Sequence, residues 1–192
     1  MPKQISVVYH SGYGHTAKVA AAIVEGATAG GATVHLLKAD ALTDADWTTL
    51  DGSDAIIFGA PTYMGGVSAP FKTFIDATSK RWFTQAWKDK IAAGFTNSAS
   101  YSGDKSVSLQ QLITLALQHG MIWVGQSEMG PSLAGVEVPS LDTINRVGSN
   151  SGLMTQSNAQ SGPDIAPPAG DLETARRFGK RVAEVTQRFA RA

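Results

Sequence analysis

The chain has 192 residues, enough for one domain with a full hydrophobic core. Sixteen Lys and Arg balance sixteen Asp and Glu; that gives no charge footprint for nucleic acid and none of the acidity of a small carrier that docks on basic partners. The lack of cysteine excludes disulfides, thiolate zinc sites, iron–sulfur clusters and thiol catalysis.

The opening MPKQISVVYH has no signal-peptide core and no apolar run approaches a membrane span, so a cytoplasmic protein without membrane contact is expected. Residues 4–10 alternate through Ile5, Val7 and Tyr9, with Val8 on the other side, which predicts a mostly buried strand. Ala17, Ala20, Ala21, Val24 and Ala27 then recur at helical spacing until Gly30 and Gly31 stop the helix. Thr33–Leu37 reads as a second strand and Asp44–Leu50 as a short helix. DAIIFG, residues 54–59, lacks polar alternation and reads as a strand buried on both faces.

Phe71, Phe74 and Ile75 mark the next helix, Ile91–Phe95 a fourth strand, and Leu109, Leu112, Ile113 and Ala116 another helix face. MIWVG, residues 121–125, reads as the fifth strand, and residues 171–190 as a last amphipathic helix. Residues 126–170 are rich in Gly, Ser, Pro and Asn without a period, which suits a functional loop, an interface or partial disorder within a single domain spanning 1–192. Strands alternating with helices predict an α/β fold with a doubly wound, five-stranded parallel sheet in the flavodoxin-like order 2-1-3-4-5, helices on both faces. In such a sheet the ligand sits beyond the strand C-terminal ends at the switch point. The loops after strands 1, 3 and 4 meet there.

The first of these loops, Ser11-Gly12-Tyr13-Gly14-His15-Thr16, leads from strand to helix and reads as a phosphate cradle. Gly12, Gly14 and Ala17 also match the dinucleotide spacing G-x-G-x-x-A, with Asp40 about where a ribose-binding acid would stand. Hydroxyls at both ends, Ser11 and Thr16, suit a terminal phosphate monoester, and Tyr13 would crowd a dinucleotide turn. Both ligands stay open at this point. In APTYMGG, Pro61, Gly65 and Gly66 shape a turn that presents Thr62, Tyr63 and Met64 to a flat heterocycle. TNSASYSGDKS, residues 96–106, offers backbone N–H groups to the pyrimidine end of a flavin.

The segments YHSGYGHT, IIFGAPTYMGGVSAPFKTFIDAT, KRWFTQAWKDKIAAGFTNS and LQHGM, in that order, resemble the WrbA-type NAD(P)H:quinone oxidoreductases of the flavodoxin-like superfamily. The resemblance covers residues 4–125, weakens over 126–170 and returns in the last helix. It implies that Ser11, Gly12, Tyr13, Gly14, His15 and Thr16 hold the phosphate and ribityl chain of FMN. It implies further that Pro61, Thr62, Tyr63, Met64 and Gly65 line the isoalloxazine, and that Asn97, Ser98, Ala99, Ser100, Tyr101 and Ser102 take its pyrimidine edge. Tyr13 would touch NADH or NADPH, the electron donor, and Trp82 would sit over the substrate, a small quinone; His119 is a further candidate for the substrate cleft, with a cap on the helix ending near Gly120 as the alternative. The family assembles as dimers and tetramers, so a homodimer or homotetramer is implied. Gln118 stands where relatives have the first His of a His-His-Gly-Met run that contacts the flavin. An insertion common in relatives before the third strand is also missing.

Other chemistries find no support. His10, His15, His35 and His119 have no metal-ligand spacing, no G-x-S-x-G elbow exists, and Lys18 lies inside the helix rather than at a Walker position. Trp87 and Trp123 read as core or interface, and Arg176, Arg177, Lys180 and Arg181 as a solvated helix face. The sequence thus points to an FMN-dependent oxidoreductase without a general base. A flavodoxin-type electron carrier, a direct NAD-binding protein and a regulator that kept only the fold are the alternatives.

Overall fold

Apolar runs that alternate in strands and recur every three to four residues in helices set the architecture. The computed structural model describes residues 1–189. In chain order the elements are β1 (Gln4–Tyr9), α1 (His15–Ala29), β2 (Thr33–Lys38), α2 (Asp44–Gly52), β3 (Ala55–Tyr63), β4 (Gly66–Val67), α3 (Ala69–Ala77) and α4 (Ser79–Phe83). Then follow β5 (Ile91–Ser98), α5 (Lys105–Gln118), β6 (Ile122–Trp123), β7 (Leu153–Gln156) and α6 (Ala169–Arg188).

The main sheet runs β2-β1-β3-β5-β6 in parallel, the flavodoxin-like order. It departs from five plain strands at one edge. The strand expected at 121–125 is ladder-paired only at Ile122 and Trp123, and β7 takes over the same edge of β5 at Phe95–Ser98. The segment between them leaves the sheet and returns, so the expected irregular stretch 126–170 contains a strand. β3 runs on to Tyr63 and turns back through β4. Met64 and Gly65 form this turn, both with positive φ, at 47° and 82°.

Strand alternation sorts the core onto two faces. Ile5, Val7, Ile57 and Ala93 point to one side, where α1 and α6 cover them with Val19, Ile23, Phe178 and Val182. Val8, Ile56, Phe58 and Ala92 point to the other, under Phe71, Phe74, Trp87, Leu109 and Leu112. Trp87 is fully buried, and its indole N–H donates to Asp51 Oδ1 at 2.8 Å. Trp123 is half-buried and donates to the Ser151 carbonyl. Thr43 caps α2 reciprocally with Asp46, whose carboxyl the Thr43 amide and hydroxyl hold below the usual range.

The segment between β6 and β7 is tied to α6. The Asn145 amide donates to Thr174 Oγ1 at 2.8 Å, and Arg181 Nε donates to the Gly125 carbonyl at 3.0 Å. Arg146 carries this attachment into the interior with a bidentate pair to Asp171 at 2.7 and 3.1 Å. Arg176 and Arg177, expected on a solvated face, are half-exposed and pair with Glu25, Glu173 and Glu128. No helix among the described residues is long and apolar enough to cross a membrane.

Candidate functional site

β1, β3 and β5 are neighbours, so the loops leaving their C-terminal ends meet beside the point where the chain switches from β1–β2 to β1–β3. A cleft of about 670 Å³ opens there, within the range of small-molecule and cofactor sites. Ser11, Tyr13, His15 and Thr16 line it from the first loop, Pro61, Thr62 and Tyr63 from the second, and Asn97, Ser98 and Ala99 from the third.

The first loop is built around Ser11 and Gly14. Gly14 takes the N-cap position of α1 at φ 88°, a left-handed conformation that favours glycine. No side chain caps the helix end from that position. Instead Ser11 Oγ accepts from the amides of Gly14 and Ala17, both at 3.1 Å. With both acceptor positions used, the Ser11 hydroxyl proton is left to donate. Thr16 presents a second hydroxyl to the cleft and is almost fully buried.

Close packing accounts for the glycines. A Cβ on Gly12 would lie 2.7 Å from the Tyr63 hydroxyl, and one on Gly14 would lie 2.9 Å from Pro163 Cγ. Tyr13 and Tyr63 meet edge to face, with ring centroids 6.1 Å apart. Burial first, and Tyr13 second, push the Tyr63 phenol above its ordinary range, against the opposing pull of the Gly12 amide. Tyr63 is therefore a neutral hydroxyl at physiological pH.

The floor is a set of hydroxyls and one amide. Thr62 Oγ1 lies 2.8 Å from Thr96 Oγ1 and 2.7 Å from Ser108 Oγ. Asn97 Oδ1 accepts from Thr155 Oγ1 at 2.8 Å and from Ser157 Oγ at 3.0 Å. With its oxygen on these two hydroxyls, the Asn97 amide has its NH2 as a donor.

The fourth wall comes from the stretch 126–170, which the sequence marks as suited to a functional loop, an interface or partial disorder without singling out a residue. Ser157, Ala159, Gln160, Ser161, Gly162 and Pro163, just after β7, line the same cleft. His15 Nε2 donates to the Ser161 carbonyl at 2.8 Å, and Lys18 Nζ to the Asp164 carbonyl at 3.0 Å. The Ser-Gly-Pro run at 161–163 is the only local signal that a tight turn stands here.

Several expected residues lie elsewhere. Met64 is fully exposed at the β3–β4 turn, and Ser100, Tyr101 and Ser102 lie on the outer part of the third loop, not in the cleft lining. Trp82, Gln118 and His119 line a separate cavity of about 590 Å³ between α3, α4 and α5. His119 is buried there against Trp87, with Nε2 2.9 Å from Thr78 Oγ1, and burial lowers its pKa. Asp40, the candidate ribose acid, is exposed and outside the cleft lining. Among the described residues no cluster of His, Asp and Glu is arranged to hold a metal ion.

Comparison with known proteins agrees with the fold. Residues 45–132 match the family NADPH-dependent FMN reductase. A WrbA-like flavodoxin from Agrobacterium tumefaciens superposes with a TM-score of 0.74 at 44% identity, covering 98% of this chain and 99% of that one. Flavodoxin FldP of Pseudomonas aeruginosa is 47% identical over 95% of this chain and 96% of its own length.

The chain belongs to the WrbA-like flavodoxin family.

Within that family the similarity extends to an NAD(P)H dehydrogenase (quinone) of Archaeoglobus fulgidus, 31% identical over 97% of this chain and 98% of that protein. For a WrbA-like flavodoxin, the cleft stands where its sheet places a ligand, and its walls are the three expected loops plus the late one.

Proposed function

We propose that the protein binds FMN noncovalently in the switch-point cleft and passes two electrons from NADH or NADPH to a quinone. One observation carries the reading. A glycine-built anion cradle at the start of α1 opens into the same cleft as the aromatic pair Tyr13–Tyr63 and the Asn97 amide.

The residues fit a phosphorylated flavin. The Ser11 proton, the Thr16 hydroxyl and the unpaired amides at a helix N-terminus supply donors for a phosphate monoester. Cβ atoms at Gly12 or Gly14 would collide with Tyr63 and Pro163, so the backbone is kept bare where the phosphate approaches. Asp40 stands outside the cleft, which favours a mononucleotide over a dinucleotide.

FMN supplies the electron chemistry when bound. The chain's own residues bind and orient. Tyr13 and Tyr63 give apolar faces at the mouth, and Asn97 offers its NH2 beside Ser98 and Ala99, which line the same cleft. The turn at 161–163, held by His15, closes one side against water. No side chain in the cleft is placed to act as a general base, and the proposed reaction needs none.

A second reading has its own support. The relative at 47% identity is named a flavodoxin, which supports an FMN-binding electron carrier without quinone turnover. Oxidation of NADH and NADPH by FMN-loaded protein with benzoquinone separates the two. Steady turnover is the expected result. Bound FMN without turnover supports the carrier.

A further inference from the structure

The third loop rests on buried charge that the reading above does not use. Lys105, the first residue of α5, is fully buried. Its Nζ donates to Ser98 Oγ at 3.0 Å and to the Ser100 carbonyl at 2.6 Å. Ser98 lines the cleft, so one side chain separates this ammonium group from the ligand space.

Two other charges face Lys105. Asp171 comes from α6, and Arg146 from the segment between β6 and β7. Arg146 Nε and Nη2 bind Asp171, and Nη2 also reaches the Gln156 carbonyl and Oε1 at 3.1 and 2.9 Å. Arg146 Nη1 is buried with no partner among the described residues. Gln156 in turn donates through Nε2 to the Ala99 carbonyl at 2.7 Å. The three charged groups and Gln156 form one scaffold beneath residues 98–100. Two cations face one anion, so the scaffold carries net positive charge.

Burying an ammonium group is costly, and a hydroxyl and a carbonyl repay it only in part. A neutral side chain of similar length would brace the loop without that cost. The charge itself therefore calls for a role.

We propose that Lys105 is a positioning residue that presents positive charge, through Ser98, to the pyrimidine end of FMN and so favours the reduced cofactor. The inference rests on the FMN reading above. Reduction of FMN by two electrons, from a nicotinamide or an electrode, with uptake of one proton adds one negative charge, spread over N1 and the neighbouring carbonyl. A cation beneath that end stabilises this charge, and the low local dielectric strengthens the effect.

A second consequence follows from protonation. Burial is the main cause lowering Lys105 to about 8, with Asp171 opposing and Arg146 adding to it. Above that pH the oxidised protein holds Lys105 neutral. Negative charge on reduction draws the proton back, so a second proton enters with the same two electrons.

The test compares wild type, Lys105→Met and Lys105→Arg. Affinities for oxidised FMN come from fluorescence quenching, and midpoint potentials from spectroelectrochemistry at pH 6.5–9.5. Unchanged affinity of Lys105→Met for oxidised FMN marks an intact cleft. Its affinity for reduced FMN is expected to fall on the order of a hundredfold, the size of one charge pair about 6 Å apart at an effective dielectric near 20. Wild type is expected to take up one proton per two electrons below pH 8 and two above it. Lys105→Arg keeps the affinity for reduced FMN but takes up one proton throughout.

If Lys105→Met loses its fold, Lys105→Gln replaces it in the same comparison. An unaltered ratio of reduced to oxidised affinity in the neutral variant overturns the proposal, and a single slope in wild type overturns the uptake of the second proton. Failure of wild type to bind oxidised FMN overturns the FMN reading instead.

Discussion

His15 Nε2 donates to the Ser161 carbonyl at 2.8 Å, across 146 positions of sequence, and joins the first turn of α1 to the turn that follows β7. This bond attaches the fourth wall of the cleft to the phosphate loop. Replacing His15 with Ala removes it and leaves the core untouched. Stability is expected to fall by about 1 kcal/mol, the worth of one hydrogen bond, and FMN affinity by up to about fivefold as the fourth wall loosens. Titration of FMN fluorescence and urea denaturation of the same samples check both halves.

Gly14 offers a sharper test of the cradle. A valine there must adopt φ 88° and press on Pro163. A β-branched side chain is a true outlier at positive φ, and the first turn of α1 would have to move. Gly14→Val is expected to abolish FMN binding while retaining the far-ultraviolet circular dichroism of wild type. An unchanged FMN titration contradicts it.

Much of this was legible in the sequence, for identifiable reasons. Ile5, Val7 and Tyr9 alternate, and Ile56, Ile57 and Phe58 form an unbroken apolar run, so the strands and their burial followed from period alone. The first loop declared itself through two glycines and two hydroxyls at a strand-to-helix junction. The split edge strand did not, because β6 pairs through only two residues and β7 is four residues inside a Gly- and Ser-rich stretch. The fourth wall was hidden for a related reason. Ser161, Gly162 and Pro163 reach the cleft through a bond to His15, and periodicity does not report so distant a contact. Buried charge was hidden too. Lys105 sits in GDKS, within a polar loop, and Asp171 at the start of a helix, and neither position signals burial. Only the packed structure shows Lys105 and the Arg146–Asp171 pair sealed from water.

The two helices on one face meet through glycines. A Cβ on Gly26 would lie 1.8 Å from the Arg176 carbonyl oxygen, and one on Gly179 would lie 2.1 Å from the Ile23 carbonyl oxygen. Backbone lies on both sides of each contact, so neither can yield easily. Gly26→Val is expected to cost about 3 kcal/mol, the upper part of the overpacking range. For a chain of this size that lowers the melting temperature by roughly 6–12 °C. Calorimetry of the two proteins measures it.

Lys105 also makes a prediction for the protein without cofactor. The unfolded chain holds its lysine protons to about pH 10.4, whereas folded Lys105 releases its proton near 8. Between these values the unfolded state binds more protons, so this group makes stability rise with pH. Lys90, also lowered by burial, adds in the same direction. The difference between wild type and Lys105→Met isolates the Lys105 part. Urea denaturation at pH 7.5 and 9.5 is expected to show a larger gain for wild type. Equal gains would place Lys105 in contact with solvent.

The central claim is that the phosphate of FMN is held by the loop from Ser11 to Thr16. Titrating the protein with FMN and with riboflavin, which has the same ring system without the phosphate, tests it most directly. One FMN is expected to bind per chain, with riboflavin at least about a hundredfold weaker, a loss of two charge-assisted contacts. Equal affinity for the two flavins, or no binding of FMN, would contradict the account.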